Sequence, residues 1–312
     1  MKRMLFFVNP NAGQGSSGLE LLPIIQEFAL GGYRVEVYPT QGPRELTDVV
    51  AREGWKYEMI VATGGDGTLN EATCGLMQLP EEKRPLLGYI PRGTVNDVSR
   101  TLGISRVPTV AARDIVAGET FAMDVGSFND RWFNYVAAFG LFADVSYRTS
   151  QEDKKALGRL AYLLDGVKSL TEIRPIRVRI RVNGKTLEEN VLLGLVTSTT
   201  SVGGFRIRGE MDADLGDGLF EVLLVRDIQN LTQLKDVAAA LTKGDFSGDR
   251  FYFCKASHVE FYFDTPVDWT LDGEHGGCTD RVFIDNHRCA QKIRIPAENK
   301  MKHTGQKFLS GK

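Results

Sequence analysis

The chain has 312 residues, of which 42% are hydrophobic and 25% charged, and its 38 basic and 40 acidic side chains give a formal net charge of −2. This length is sufficient for two domains with buried cores, and the composition is typical of globular proteins. The near balance of charges gives no support to a nucleic-acid-binding function, which normally requires a basic surface.

The cysteines and the apolar runs bear on where such a protein works. The four cysteines are widely spaced and form no Cys-x-x-Cys pair, which favours reduced thiols over a disulfide framework or a zinc site. The apolar stretch near the start is too short for a signal peptide, and no apolar run approaches the roughly 18 residues that a membrane-spanning helix needs. We therefore expect a cytoplasmic protein that, if its function involves a membrane, is peripheral at the inner membrane surface.

Strand and helix patterns alternate through the chain up to Thr120. Short apolar or alternating runs predict four strands, at Met4–Val8, Tyr33–Thr40, Met59–Ala62 and Leu86–Ile90. Apolar residues at helical spacing lie between these strands, and Gly31-Gly32 and Pro43 mark a helix end and a helix start. This alternation predicts an α/β domain in which helices cover a parallel sheet.

The pattern changes to antiparallel β-structure beyond Thr120. Phe121–Phe128 and Arg131–Ala137 predict a hairpin, and Leu157–Val167 predicts one amphipathic helix. Ile176–Val182 then alternates strictly and ends at Asn183-Gly184, the strongest short hairpin signal. Further strand patterns follow at Val191–Thr197, Leu219–Val225, His258–Phe263 and Arg281–Asp285. Together they predict an antiparallel sandwich or open barrel.

A glycine-rich turn follows the strand Met59–Ala62. Gly64-Gly65-Asp66-Gly67-Thr68 connects this strand to a predicted helix. Glycines allow close backbone approach to a ligand, and the N–H groups at a helix start favour anions such as phosphate. Asp66 would repel a bare phosphate, so its presence indicates an intervening divalent cation or polarised hydroxyl. A plain turn in which Asp66 or Thr68 caps the helix is the alternative.

Two more unusual loops follow predicted strands, at Asn9–Gly18 and Pro91–Asp97. Because ligands bind beyond the carboxyl ends of parallel strands, all three loops are predicted to lie at one edge of the sheet. Asn96 and Asp97 have a simpler alternative role as caps of the following helix. Asp124 lies inside a predicted strand, where aspartate is disfavoured, so a functional site explains it better than solvent exposure.

Four motifs resemble the diacylglycerol kinase catalytic-domain family and occur in its order: Asn9–Gly13, Gly64–Glu71, Pro91–Asp97 and Leu271–Glu274. The resemblance covers almost the whole chain. Within the family, the chain resembles the bacterial soluble diacylglycerol kinases and the YegS-like lipid kinases. The glycine turn alone is shared with NAD kinases and phosphofructokinases, whereas the set of four is specific.

The resemblance implies a nucleotide-binding α/β domain over residues 1–122 and a β-sandwich lipid domain over residues 123–289, with a tail from about 290 to 312 that packs back on the first. It implies a cleft that holds MgATP and a lipid hydroxyl, and phosphorylation of diacylglycerol to phosphatidic acid. The alternatives are phosphatidylglycerol or a sphingoid base as acceptor, a soluble-metabolite kinase of the NAD kinase type, and a non-catalytic sensor. A homodimer is left open.

The resemblance also implies roles for particular residues. The residues implied to bind ATP are Asn9, Asn11, Gly13, Thr40, Gly64, Gly65, Asp66, Gly67, Thr68, Leu69, Asn70 and Thr94. The residues implied in catalysis are Glu274, Asp272, Asp66 and Asp124. We interpret Glu274 as the base that accepts the lipid proton, with the reverse assignment of Glu274 and Asp272 left open.

Two further sites are predicted in the second half. The resemblance implies a structural Mg²⁺ held at Asp214, Asp217 and Leu219, with a tight turn at Asp217-Gly218 as the alternative. The basic residues proposed to meet an anionic membrane surface are Arg148, Lys154, Lys155, Arg159 and Lys168. A solvated helix face explains these charges equally well.

Overall fold

The structure is a computed structural model that describes residues 1–10, 17–141, 175–199, 201–202, 205–206, 213–228, 230–243 and 245–297. The chain forms two compact units. The first contains Met1–Val125 and the chain from His287 onward, and the second contains Gly126–Asn286.

The described strands of the first unit are β1 Lys2–Val8, β2 Tyr33–Pro39, β3 Met59–Gly64 and β4 Leu86–Pro91. Its described helices are α1 Ser17–Leu30, α2 Glu45–Glu53, α3 Asp66–Met77, α4 Asp97–Thr101 and α5 Pro108–Ala117. Short 3₁₀ turns occur at Gly54–Lys56 and Glu81–Lys83.

The strand register of the first unit brings three strand ends together. β1 pairs in parallel with β2 and β3, and β3 pairs in parallel with β4. Val8 lies opposite Thr63, and Gly64 lies opposite Pro91. The loops that leave β1, β3 and β4 therefore start from one edge of the sheet.

The core of the first unit forms around β1, β3 and β4, which are largely buried on both faces, as their apolar runs predict. Met4–Val8 and Met59–Ala62 are buried throughout. The rings of Phe6 and Phe28 meet edge to face at 5.3 Å and join β1 to α1. Leu69 of α3 is fully buried as well, and each such side chain contributes about 1.5–3 kcal/mol. This packing holds the start of α3 against the end of β3.

The described strands that lie wholly or partly in the second unit are β5 Glu119–Phe128, β6 Arg131–Phe133, β7 Val136–Gly140, β8 Ile176–Val182, β9 Lys185–Thr197, β10 Ser201–Val202, β11 Phe205–Arg206, β12 Phe220–Arg226, β13 Phe251–Ala256, β14 His258–Leu271 and β15 Glu274–Ile295. One described helix, α6, spans Leu231–Lys243. The last part of β15 belongs to the first unit, where Ile293 pairs in parallel with Leu87 of β4.

The second unit is antiparallel, as predicted. Its strands are ordered β13-β12-β9-β7-β14-β15, and β8 pairs with both β9 and β14. Asn183 and Gly184 turn between β8 and β9 with positive φ angles of 50° and 73°, as a type I′ hairpin requires. Trp269 is fully buried in the core of this unit, and its ring lies 4.7 Å from that of Phe139.

The hairpin predicted after Thr120 forms only in part, because its second arm is shorter than predicted. β5 and β6 pair around Asn129-Asp130 as predicted, but the arm breaks at Asn134-Tyr135 before β7 begins. The amides of this break bond to a side chain, Asp272, instead of to a strand. The predicted helix Leu157–Val167 lies outside the described residues, and within the described part of the chain no helix is long and apolar enough to span a membrane.

Candidate active site

The glycine turn joins β3 to α3 without a side-chain cap. Gly65 is the N-cap of α3 and makes no side-chain cap bond, so neither Asp66 nor Thr68 has the capping role of the alternative interpretation. The first intrahelical bond runs from the Leu69 amide to the Gly65 carbonyl at 3.1 Å. The amides of Gly67 and Thr68 precede it and have no carbonyl within the helix to bond, which is the geometry that attracts phosphate.

Asp66 connects this turn to the loop after β4. Its Oδ2 accepts a hydrogen bond from the Asn96 backbone amide at 2.8 Å. Asn96 is fully buried and adopts the left-handed conformation, with φ of 55°. Asparagine tolerates that conformation better than most residues. Asp66 therefore holds two predicted phosphate-site loops in one arrangement.

The Asn96 side chain makes no cap bond to α4, which removes the simpler role suggested for it, and bonds to Gly93 of its own loop instead. Its Oδ1 accepts from the Gly93 amide at 3.0 Å, and its Nδ2 donates to the Gly93 carbonyl at 2.6 Å. The Arg106 guanidinium also reaches this loop, and its Nη2 donates to the same Gly93 carbonyl at 3.2 Å. The loop from Gly93 to Asn96 is thus closed on itself.

Glycines allow the two loops to touch backbone to backbone. A Cβ built on Gly93 would lie 2.6 Å from the Gly65 Cα, and a Cβ built on Gly64 would lie 2.2 Å from the Thr68 Oγ1. Real Cβ atoms do not approach so closely, so no other residue fits at Gly64 or Gly93 without displacing a neighbour.

The other residues predicted to bind ATP lie on or next to these loops. Asn9 directly follows β1, and Thr40 directly follows β2, where its amide donates to the Val8 carbonyl at 3.0 Å. Thr94 is exposed in the loop after β4. Asn70 lies on α3, and its Oδ1 accepts from the Cys74 thiol at 3.4 Å. Asn11 and Gly13 lie outside the described residues.

Asp124 is a buried carboxylate on β5, with 1% of its surface exposed. Its Oδ1 accepts a hydrogen bond from the Cys289 amide at 2.7 Å. This contact joins β5 to the returning strand β15 within the first unit.

Asp272 lies in the two-residue turn between β14 and β15. Asp272 and Gly273 have φ angles of 50° and 86°, as in a type I′ hairpin. The Asp272 carboxylate accepts three backbone bonds: Oδ2 from the Asn134 amide at 2.7 Å, and Oδ1 from the amides of Tyr135 at 3.0 Å and Val136 at 3.2 Å. Because Asp272 is only 3% exposed, these charge-assisted bonds make it a fixed anion.

Glu274 differs sharply from Asp272 although the two are neighbours across the turn. It pairs with Leu271 at the start of β15 and is exposed. The next residue, His275, lies 3.6 Å from the Asp268 carboxylate, and its carbonyl accepts from Arg131 Nη1 at 3.3 Å. A carboxylate that solvent or an acceptor hydroxyl can reach is the better candidate for a base.

The segment predicted to hold Mg²⁺ forms two local turns. Asp214 Oδ1 accepts from the Gly216 amide at 3.0 Å, and Asp217 Oδ1 accepts from the Leu219 amide at 2.9 Å. Lys255 Nζ lies 3.8 Å from Asp217 Oδ2. Among the described residues, no three acidic, histidine or cysteine side chains converge as metal ligands.

Sequence reasoning missed a buried charge next to this segment. Glu221 on β12 is fully buried, and its Oε1 lies 3.0 Å from Lys255 Nζ on β13. Burial raises the pKa of Glu221 to about 7, against the opposing effect of Lys255. The only sequence signal is a single acidic residue in an apolar strand, which does not reveal its partner.

Comparison with known proteins places these features in a family. Residues 3–128 match the family described as diacylglycerol kinase catalytic domain, and residues 136–285 match the YegS C-terminal NAD kinase beta sandwich-like domain. A diacylglycerol kinase of Bacillus subtilis (strain 168) is 33% identical over 291 residues, which cover 92% of this chain and 95% of that protein. The chain belongs to the diacylglycerol kinase family.

Other members of the diacylglycerol kinase family agree in length and fold. A diacylglycerol kinase of Staphylococcus carnosus (strain TM300) is 31% identical, with 97% of both chains covered. A solved structure of a candidate diacylglycerol kinase from Bacillus anthracis str. Sterne has a TM-score of 0.81 and 26% identity, and covers 94% of this chain and 97% of that one. The predicted family, the two-domain architecture and the lipid kinase activity are confirmed.

Proposed function

We propose that this family member transfers the γ-phosphoryl group of MgATP to the hydroxyl of diacylglycerol and forms phosphatidic acid. The observation that carries the proposal is the hydrogen bond from Asn96 to Asp66, which joins the glycine turn to the loop after β4. Phosphoryl transfer depends on positioning and charge neutralisation more than on covalent catalysis, and two loops joined by hydrogen bonds to the buried residue Asn96 supply positioning.

In this proposal the first unit binds the nucleotide. The amides of Gly67 and Thr68, with the loops that begin at Asn9 and Pro91, hold the phosphates. Asp66 acts on the cation that accompanies ATP, because its carboxylate would otherwise repel the phosphates. Asp124 is a second carboxylate, which acts together with Asp66 in this site.

The second unit supplies the base. Glu274 accepts the proton of the lipid hydroxyl as the oxygen attacks phosphorus. Asp272 has a different role, because three backbone amides already occupy its carboxylate. It is a positioning residue that fixes the turn from which Glu274 projects.

Labelled ATP and a panel of lipids in mixed micelles test the acceptor. We expect transfer to diacylglycerol to exceed transfer to phosphatidylglycerol and to a sphingoid base. A higher rate with either of those lipids would reassign the acceptor within the family, and transfer to none of the three would contradict the proposed substrate class.

The basic residues predicted to meet an anionic membrane surface lie outside the described residues; they are Arg148, Lys154, Lys155, Arg159 and Lys168. Membrane contact therefore rests on the chemistry of the acceptor, because a lipid hydroxyl must be reached at a bilayer interface.

The loop from Asp214 to Leu219 is proposed to bind Mg²⁺ through Asp217 and water. One carboxylate oxygen with few other protein ligands fits Mg²⁺, which retains several waters, although Lys255 competes for the same oxygen. We expect Mg²⁺ to raise the melting temperature of the wild-type chain by a few degrees relative to chelator, because a ligand of the native state stabilises it.

The matched variant for this experiment is Asp217→Ala, which should melt at the same temperature with Mg²⁺ and with chelator. Asp214→Ala tests the second carboxylate in the same way. If the wild-type chain also melts at one temperature in both conditions, the loop is a plain turn and Lys255 is its only cation.

A further inference from the structure

Tyr89 is a fully buried side chain on β4 that contacts both loops of the proposed nucleotide site. Its hydroxyl lies 3.1 Å from the Gly64 carbonyl, at the end of β3, and 3.2 Å from the Asn96 Oδ1. Tyr89 pairs with Ala62 in the sheet, so its backbone is fixed by strand pairing. The hydroxyl therefore reaches the glycine turn and the loop after β4 from a rigid position.

Both acceptors of this hydroxyl already have one backbone donor. The Gly64 carbonyl accepts from the Arg92 amide at 2.7 Å, and the Asn96 Oδ1 accepts from the Gly93 amide at 3.0 Å. Each oxygen has a second lone pair that Tyr89 can fill. The hydroxyl lies within hydrogen-bonding distance of both oxygens, so from one position it can donate to the end of β3 or to the loop after β4.

The environment keeps this donor protonated. Burial, followed by the charge of Asp66, raises the pKa of Tyr89 well above its ordinary value, and Arg106 opposes this shift. Tyr89 thus remains a neutral hydrogen-bond donor throughout the range in which a kinase is assayed.

We propose that Tyr89 is a positioning residue whose hydroxyl holds the glycine turn and the Gly93–Asn96 loop in the spacing that binds the phosphates of ATP. This inference rests on the proposed function for its ligand. The loops meet on one side through the Asp66 bond to Asn96 and on the other through Tyr89. Asn96 is thereby fixed from its backbone and from its side chain.

The test uses Tyr89→Phe, which removes only the hydroxyl, and Tyr57→Phe as the matched control. Tyr57 is also buried in the first unit, and its hydroxyl donates to Glu36 at 2.8 Å. Tyr57 precedes the start of β3, whereas the glycine turn follows the other end of that strand. Hydrogen exchange measured by mass spectrometry on the ligand-free chain should be faster in the peptides covering residues 64–70 and 91–97 for Tyr89→Phe only.

The second measurement is MgATP affinity by calorimetry. We expect Tyr89→Phe to weaken binding roughly 3- to 10-fold, as the loss of one buried hydrogen bond predicts, with the KM for lipid unchanged and Tyr57→Phe equal to wild type. Equal exchange and equal affinity in both variants would overturn the inference. Normal lipid KM values with weakened MgATP binding support it. If wild type binds MgATP but phosphorylates no lipid, only the proposed acceptor fails.

Discussion

Replacing Asp66 by asparagine is expected to lower kcat by on the order of 10³-fold or more while the fold stays intact. The amide oxygen of asparagine can still accept the Asn96 amide, which Asp66 Oδ2 accepts at 2.8 Å in the wild-type chain. The variant therefore keeps the connection between the loops and loses the charge. Lipid phosphorylation, measured together with the melting temperature, separates these two roles.

The matched control for this charge is Asp48→Asn. Asp48 is an exposed aspartate on α2 in the same unit, so the change should affect neither activity nor stability. Asp66→Ala removes the acceptor as well as the charge and is expected to lower both turnover and melting temperature. Near-normal lipid phosphorylation by Asp66→Asn would contradict the assignment of this carboxylate to the nucleotide site.

Replacing Glu274 by glutamine is expected to reduce kcat by about 10²–10⁴-fold, the usual contribution of a general base. Glu274 is exposed, and removal of its charge should leave the melting temperature and the MgATP affinity close to those of the wild-type chain. Single-turnover rates with saturating ATP measure the chemical step directly. Full kcat in this variant would exclude Glu274 as the base.

Asp272→Asn separates the two carboxylates of the turn. An asparagine presents one oxygen and one NH₂ group to three amides that now donate to a carboxylate. At least one buried amide then loses its acceptor, which costs about 1–3 kcal/mol or more. We expect a lower melting temperature together with lower activity. A stable Asp272→Asn chain without turnover, combined with an active Glu274→Gln chain, would transfer the role of base to Asp272.

The two acids also illustrate how far sequence reasoning extends. Alternation along Leu271–Glu274 predicts that Asp272 and Glu274 start on the same side of the chain, and residue type alone does not decide which of the two is the base. The break at Asn134-Tyr135 distinguishes them, because it turns backbone amides toward Asp272 and leaves Glu274 exposed. No local pattern predicts that a break between two strands serves a side chain more than a hundred residues away.

The same limit applies to the glycine turn and its neighbours. The residues of Gly64–Thr68 and Pro91–Asp97 predict phosphate-site loops, because glycine content and strand-to-helix transitions are local properties. Their mutual spacing is not local. In the sequence Tyr89 is indistinguishable from the other residues of a buried strand. Its hydroxyl gains hydrogen-bond acceptors only when the fold brings Gly64 and Asn96 beside it.

Local chemistry in the sequence was sufficient for the alternation of strands and helices, the Asn183-Gly184 hairpin, the antiparallel second half and the four motifs of the diacylglycerol kinase family. These features depend on side-chain period, turn preference and residue identity, which neighbours along the chain carry. Tertiary structure alone decided which carboxylates are fixed and which are exposed, how Asp66 reaches Asn96, and which cation faces Asp217. Those properties depend on burial and on hydrogen bonds between distant segments, and they exist only once the strands have paired.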